Sequence, residues 1–228
     1  MRNSPEGSSL IRNELRTPRA AAIAGIFFSI FLITSQLLIW VSIPPYPRGT
    51  AVEASSHLKT ISLALNLLPF AGIAFLWFIG VVRNRLGRLE DRFFSTVFLG
   101  SGLLYIAMVF TSAALADGLI WVLSNAHEIL TQTDAYALSR AQIYQTMNVY
   151  GIKMAGVFMF STSMILLRTG IGPRWMAFLG FVLGGILLLS IGIIFWTPLV
   201  FPVWVFLVSI TMLLENPDKA GRATGHSQ

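Results

Sequence analysis

The chain of 228 residues is strongly apolar and sparsely charged, with 55% hydrophobic residues against 11% charged ones. Soluble domains carry roughly a quarter charged residues, so this composition excludes an ordinary soluble domain and indicates a polytopic membrane protein. The formal net charge is +6, but the basic residues lie in short clusters between apolar runs, which argues against a nucleic-acid-binding face. Since there is no cysteine, disulfides and thiolate metal sites within the chain are excluded as well.

Apolar segments of membrane-spanning length follow one another along the chain. Most of them have about 20 residues or more, which crosses ~30 Å of hydrocarbon, and the last one is the marginal segment. We therefore predict an all-α fold, a single bundle of six transmembrane helices over residues 20–214, between polar segments at 1–19 and 215–228. The six segments are Ala20–Ile43, Ile61–Val82, Phe93–Ala116, Ile143–Leu167, Trp175–Phe195 and Leu199–Leu214.

The distribution of basic residues predicts the orientation. Basic residues are enriched on the cytoplasmic side of membrane proteins. We therefore predict that both termini are cytoplasmic, because twelve of the sixteen basic residues are then cytoplasmic, whereas Arg48, Lys59 and Arg140 lie in outer loops and Lys153 lies inside a span. The twelve are Arg2, Arg12, Arg16, Arg19, Arg83, Arg85, Arg88, Arg92, Arg168, Arg174, Lys219 and Arg222.

The longest predicted loop is the outer one, Asp117–Gln142. Ser124 is a suitable N-cap, and apolar residues follow it, so we expect a short helix lying over the outer face of the bundle.

Small residues recur at the spacing of helix contacts. Gly25 lies in a small-xxx-small series of the first span, and Gly180 and Gly184 form a GxxxG pair in the fifth, followed by Gly185. In lipid, such residues let helix backbones approach closely. They predict packing within the chain, with a homo-oligomer seam as the alternative.

Lys153 is a charged residue inside the fourth span. Fifteen residues separate it from Arg168, which places it about 22 Å from the inner boundary and off-centre in a ~30 Å core. Its amine either snorkels outward or belongs to a polar outer vestibule with Tyr150 and Thr146 on the same helix face. The further predicted lining of that vestibule is Gln145, Asn148 and Asn66, with the carboxylates Asp117 and Glu128.

Catalytic signals are weak throughout the chain. The histidines His57, His127 and His226 lie outside the spans, and no paired carboxylates occur within them. We therefore expect no catalytic residue, no metal, no cofactor and no enzymatic activity.

Two stretches carry a resemblance. The text "FAGIAFLWFIGVVRNRLGRLEDRFFSTVFLGSGLLYIAMVF" and the later "IYQTMNVYGIKMAGVFMFSTSMILLRTGIGPRWMAFLG" resemble a family of small actinobacterial integral membrane proteins with no assigned activity. The resemblance covers Ile61–Leu214. It implies a multi-pass protein of the bacterial inner membrane and a compact helical bundle, and it implies no catalytic residue.

Two classes of function fit these patterns. The first is a small permease or channel-like protein in which Lys153 favours a polar or anionic solute. The second is a noncatalytic accessory or scaffold subunit that binds lipid or another membrane protein through its small-residue faces. A homo-oligomer is compatible with either class.

Overall fold

The computed structural model describes residues 5–43, 56–86, 92–125, 134–169, 173–190 and 196–214. Within these ranges the chain is helical and contains no strand, which confirms the all-α prediction. The helices, in order, are α1 (Pro5–Ser42), α2 (Leu58–Leu86), α3 (Arg92–Asn125), α4 (Asp134–Gln145), a π-helical segment called here the π-turn (Thr146–Gly151), α5 (Ile152–Thr169), α6 (Arg174–Leu189) and α7 (Thr197–Leu214).

Five helical stretches of the described chain are long and apolar enough to cross a membrane. The sixth apolar helix, α6, has 16 residues and is about 24 Å long. The fifth span was predicted over Trp175–Phe195, but its helix ends at Leu189, so this helix is shorter than the last one, Thr197–Leu214, which was predicted to be the marginal span. Helix α6 ends because Ser190 adopts an extended backbone, with φ −62° and ψ 131°, and residues 191–195 lie outside the described ranges. An apolar run reports hydropathy and does not show where the backbone leaves the helix.

Much of the predicted outer loop is also helical. Helix α3 continues through Asn125, and the side chain of Ser124 donates a hydrogen bond back to the Trp121 carbonyl at 2.8 Å instead of starting a helix. Helix α4 leads through the π-turn into α5, so that Asp134–Arg168 is one helical stretch of 35 residues. In the described part of this loop, the helix predicted to lie over the bundle is a direct extension of the fourth span, and residues 126–133 of the prediction lie outside the described ranges.

The core of the bundle is aromatic. One ring from each of five helices meets there, and neighbouring ring centroids are 4.4 to 5.8 Å apart. Such edge-to-face and stacked pairs each contribute about 0.5–1.5 kcal/mol beyond the burial of their area. The five rings, called here the aromatic core, are Phe28 of α1, Phe75 of α2, Tyr105 of α3, Phe158 of α5 and Phe201 of α7.

Around this core, each helix packs mainly on one or two neighbours. Helix α1 packs on α2 and α7, and α5 packs on α6 and α3. Helices α2 and α3 join these two groups. Helix α6 contributes no ring to the aromatic core and is held almost entirely by α5, which places the interface between α5 and α6 at the centre of the site described next.

Candidate functional site

Lys153, the second residue of α5, contacts the end of α6. Its Nζ donates a hydrogen bond to the carbonyl oxygen of Leu188 at 3.2 Å, and its side chain is half-buried. Leu188 belongs to the last turn of α6, where backbone carbonyls lack partners within their own helix. A positive charge there is also favoured by the helix dipole. Lys153 therefore caps α6 from the neighbouring helix.

Lys153 and Leu188 lie at about the same distance along their helices from the cytoplasmic ends predicted for α5 and α6. Leu188 lies fourteen residues beyond Arg174, or about 21 Å, and Lys153 lies fifteen residues before Arg168, or about 22 Å. The backbone N–H of Ser190 donates to the Ile186 carbonyl at 2.9 Å, which satisfies another carbonyl of the same last turn. Two carbonyls of the last turn, those of Ile186 and Leu188, therefore have donors outside the regular helical ladder or at its end.

The predicted carboxylate partners do not join Lys153. Asp117 is exposed on α3, and Glu128 lies outside the described residues. Within the described part of the chain, the acceptor for Lys153 is the Leu188 carbonyl, and no carboxylate pairs with it. Neither predicted arrangement of this lysine included a helix cap.

Polar residues beside Lys153 shape the π-turn. Three successive carbonyls, those of residues 142 to 144, each accept a side-chain hydrogen bond. The donors are Thr146 at 2.8 Å, Ser112 of α3 at 3.1 Å and Asn148 at 3.2 Å. Side-chain donors that bind carbonyls compete with the backbone ladder, and π-turns often accompany functional sites. Thr146 and Asn148, predicted to line a vestibule, use these donors on their own helix.

The other predicted polar residues are distributed over different helices. Asn66 is exposed on α2, where its side-chain amide donates to the Ser62 carbonyl of the same helix at 2.9 Å. Gln145 and Tyr150 are exposed, the latter by 62%. Tyr150 and Lys153 therefore lie three residues apart in one stretch of helix, and Asn66 is a separate surface residue on α2.

The predicted packing glycines lie at interfaces within the chain, with one exception. A Cβ built on Gly25 would overlap Ser209 of α7, and one built on Gly180 would overlap Ser163 of α5. At Gly184 the added atom would lie 3.1 Å from the Gly156 carbonyl oxygen. Gly185 is different, because its nearest neighbour would be a Phe160 ring atom at 3.8 Å, an ordinary contact.

Two features of this packing were missed. Gly156 of α5 lies against the backbone of α6, since its added Cβ would lie 2.9 Å from the Gly184 carbonyl oxygen. Beside Gly180, the Ser163 hydroxyl and the Trp204 indole nitrogen are buried without a hydrogen-bond partner. Gly156 has no second small residue at i+4 or i−4, so it does not form the GxxxG pattern that marks Gly180 and Gly184 in the sequence.

Helix α3 presents a row of residues on its outward side, all of them small except Leu104, which is 50% exposed. They repeat at alternating spacings of four and three residues, the period of a helix–helix seam. All but Gly100, which is half-buried, are exposed, and a Cβ on either glycine of the set would meet nothing within 4 Å. These residues, called here the α3 seam, are Gly100, Leu104, Ala107, Thr111, Ala114 and Gly118. The spacing was available in the sequence, but only the structure shows that this face has no partner within the described residues.

Among the described residues, no group of three or more histidine, aspartate or glutamate side chains could hold a metal ion. His57 is exposed at the start of α2. Comparisons of the chain with protein-family models, curated proteins and solved structures find no match. The class of the protein therefore follows from the fold alone: a helical bundle with several helices that are long and apolar enough for a multi-pass membrane protein.

Proposed function

We propose that the protein is a noncatalytic accessory or scaffold subunit of a bacterial inner membrane, which binds another membrane helix through the α3 seam. The open seam is the observation that carries this proposal. Small residues on a lipid-facing helix favour close association with a second helix, because lipid provides no hydrophobic driving force between helices. Three of the predicted packing glycines, Gly25, Gly180 and Gly184, cannot serve this purpose, since they are already covered within the chain.

The transmembrane topology, six crossings with both termini in the cytoplasm, is part of the same proposal. Six crossings with both termini in the cytoplasm require the short α6 to cross as well, and its length of about 24 Å is accommodated by local thinning of the bilayer. The charge asymmetry between loops supports this orientation. The bacterial inner membrane is supported by the resemblance to actinobacterial membrane proteins.

A matched pair of glycine substitutions tests the scaffold function. Gly100→Leu fills the α3 seam, whereas Gly80→Leu makes the same change at an exposed glycine of α2 whose added Cβ also meets nothing within 4 Å. We expect Gly100→Leu to lower the yield of a copurified or cross-linked membrane partner several-fold, and Gly80→Leu to leave it unchanged. Equal partner yield from both variants and the wild type would contradict the use of this seam.

A second candidate function is a small permease or channel-like protein for a polar or anionic solute. The π-turn beside a half-buried lysine favours it, since π-turns are frequent at functional sites. The aromatic core argues against it, because five close-packed rings fill the region where the helices of the bundle converge. Reconstitution into liposomes separates the two candidates: we expect no protein-dependent flux of small anions, and flux abolished by Lys153→Met would instead establish the permease.

A further inference from the structure

Lys153 and Tyr150 together indicate which chemical group of the surrounding membrane contacts their end of the bundle. We propose that these two residues bind the phosphate group of a membrane phospholipid. The site lies on the π-turn and α5, and the α3 seam lies on another helix, so either proposal can fail without the other.

The ammonium group of Lys153 has more N–H donors than the described residues accept. A lysine carries three N–H donors, and the Leu188 carbonyl accepts one of them at 3.2 Å. The described residues supply no second acceptor for it. An unmet charged donor is costly at membrane depth, yet Lys153 is only half-buried and remains accessible from one side. The remaining donors therefore call for an acceptor from outside the described residues, and the Leu188 contact holds the ammonium in place to receive it.

The short α6 brings such an acceptor within reach. Its length of about 24 Å is less than the ~30 Å hydrocarbon thickness, and a bilayer adapts to a short helix by thinning around it. Thinning lowers the lipid headgroups toward the end of α6, which is where Lys153 lies. Phosphate is the anionic group that lipid headgroups present at this level, and it accepts strong charge-assisted hydrogen bonds from an ammonium group.

Tyr150 provides the second donor. It precedes Lys153 by three residues across the end of the π-turn, so the two side chains lie within about one turn of each other on the same helical stretch. Its side chain is 62% exposed, and helical side chains tilt toward the N-terminus, which here is the direction of the nearer membrane surface. A phenolic hydroxyl above an ammonium suits the several acceptor oxygens of a phosphate. A net-anionic lipid should bind better than a zwitterionic one, whose own ammonium competes with Lys153.

Native mass spectrometry of the purified full chain tests the site. The probes are phosphatidylglycerol and phosphatidylcholine, titrated separately, and the measured quantity is the apparent dissociation constant of the first bound lipid. We expect phosphatidylglycerol to bind more tightly, Lys153→Met to weaken it about tenfold, and Tyr150→Phe to weaken it by a smaller factor. The control is Lys59→Met, which removes an exposed lysine at the start of α2 and should change nothing.

Each alternative outcome has a defined meaning. Equal binding of phosphatidylglycerol to wild type and Lys153→Met would overturn the proposal, as would an equal loss in Lys59→Met. If Lys153→Met cannot be purified folded, Tyr150→Phe decides, because unchanged affinity in that variant overturns the two-donor site. Inorganic phosphate is titrated in a separate experiment. If free phosphate binds at least as tightly as the lipid, and this binding depends on Lys153, the site belongs to a soluble anion and the lipid assignment is overturned.

Discussion

Substituting Gly156 by alanine should weaken the interface between α5 and α6. The added Cβ would lie 2.9 Å from the Gly184 carbonyl oxygen and 3.0 Å from Leu188 Cγ, whereas ordinary van der Waals contact begins at 3.4 Å. The closer of these atoms belongs to the backbone, so relief requires α6 to move away from α5 by about 0.5 Å, the shortfall from that contact distance. Movement of α6 also strains the contact between Lys153 and Leu188, which lies one turn from Gly184.

The magnitude follows from two opposing effects. Overpacking of a close interface costs about 1–3 kcal/mol. Replacing glycine by alanine within a helix returns about 1 kcal/mol through helix propensity. The matched control is Gly185→Ala, where the same propensity gain comes without overlap because the nearest atom would lie at 3.8 Å. Since propensity cancels between the two variants, their unfolding free energies should differ by about 1–3 kcal/mol, with Gly156→Ala the less stable.

Equilibrium unfolding in detergent measures this difference. The protein is titrated with a denaturing detergent, helix content is followed by circular dichroism, and the free energies of unfolding of the two variants are compared with that of the wild type. We expect Gly185→Ala to match or exceed the wild type. If Gly156→Ala and Gly185→Ala have the same stability, the close approach of α5 and α6 is not present in the folded protein and the argument is refuted.

Three further predictions test the cap, the π-turn and the threading. Lys153→Met should speed hydrogen exchange in the last turn of α6 and lower the melting temperature, because the Leu188 carbonyl loses its donor, while Lys59→Met should do neither; equal exchange in the two variants would contradict the cap. Ser112→Ala should destabilise the protein by about 0.6 kcal/mol, typical of an interhelical hydrogen bond in a membrane, as measured by the same detergent titration, and no loss would show that the Ile143 contact contributes nothing. Reporter fusions test the threading through two cytoplasmic and two external sites, and a single reversed reporter would refute it. The fusion points are after Arg88 and Arg174 for the cytoplasm, and near Val52 and Asp134 for the exterior.

Hydropathy and charge were sufficient for the coarse architecture. The transfer free energy of an apolar segment depends on its own composition, so all-helical structure and several helices of spanning length could be predicted without any contact between segments. The same dependence on local composition explains why the ends of the predicted segments were misplaced. The extended backbone at Ser190 and the helical continuation of α3 past Ala116 do not change hydropathy, so the window that found each segment misplaced its end.

What the sequence determined by itself was therefore the class of the protein and the unusual character of Lys153. Only the tertiary structure decided what that lysine does, because its acceptor lies 35 residues away on another helix and is a backbone carbonyl, which no sequence pattern marks. The same holds for Gly156 against Gly184 and for the exposure of the α3 seam. Whether a small residue is covered depends on which helix packs beside it, and in a bundle that choice follows from the fit of all the helices together rather than from any one of them.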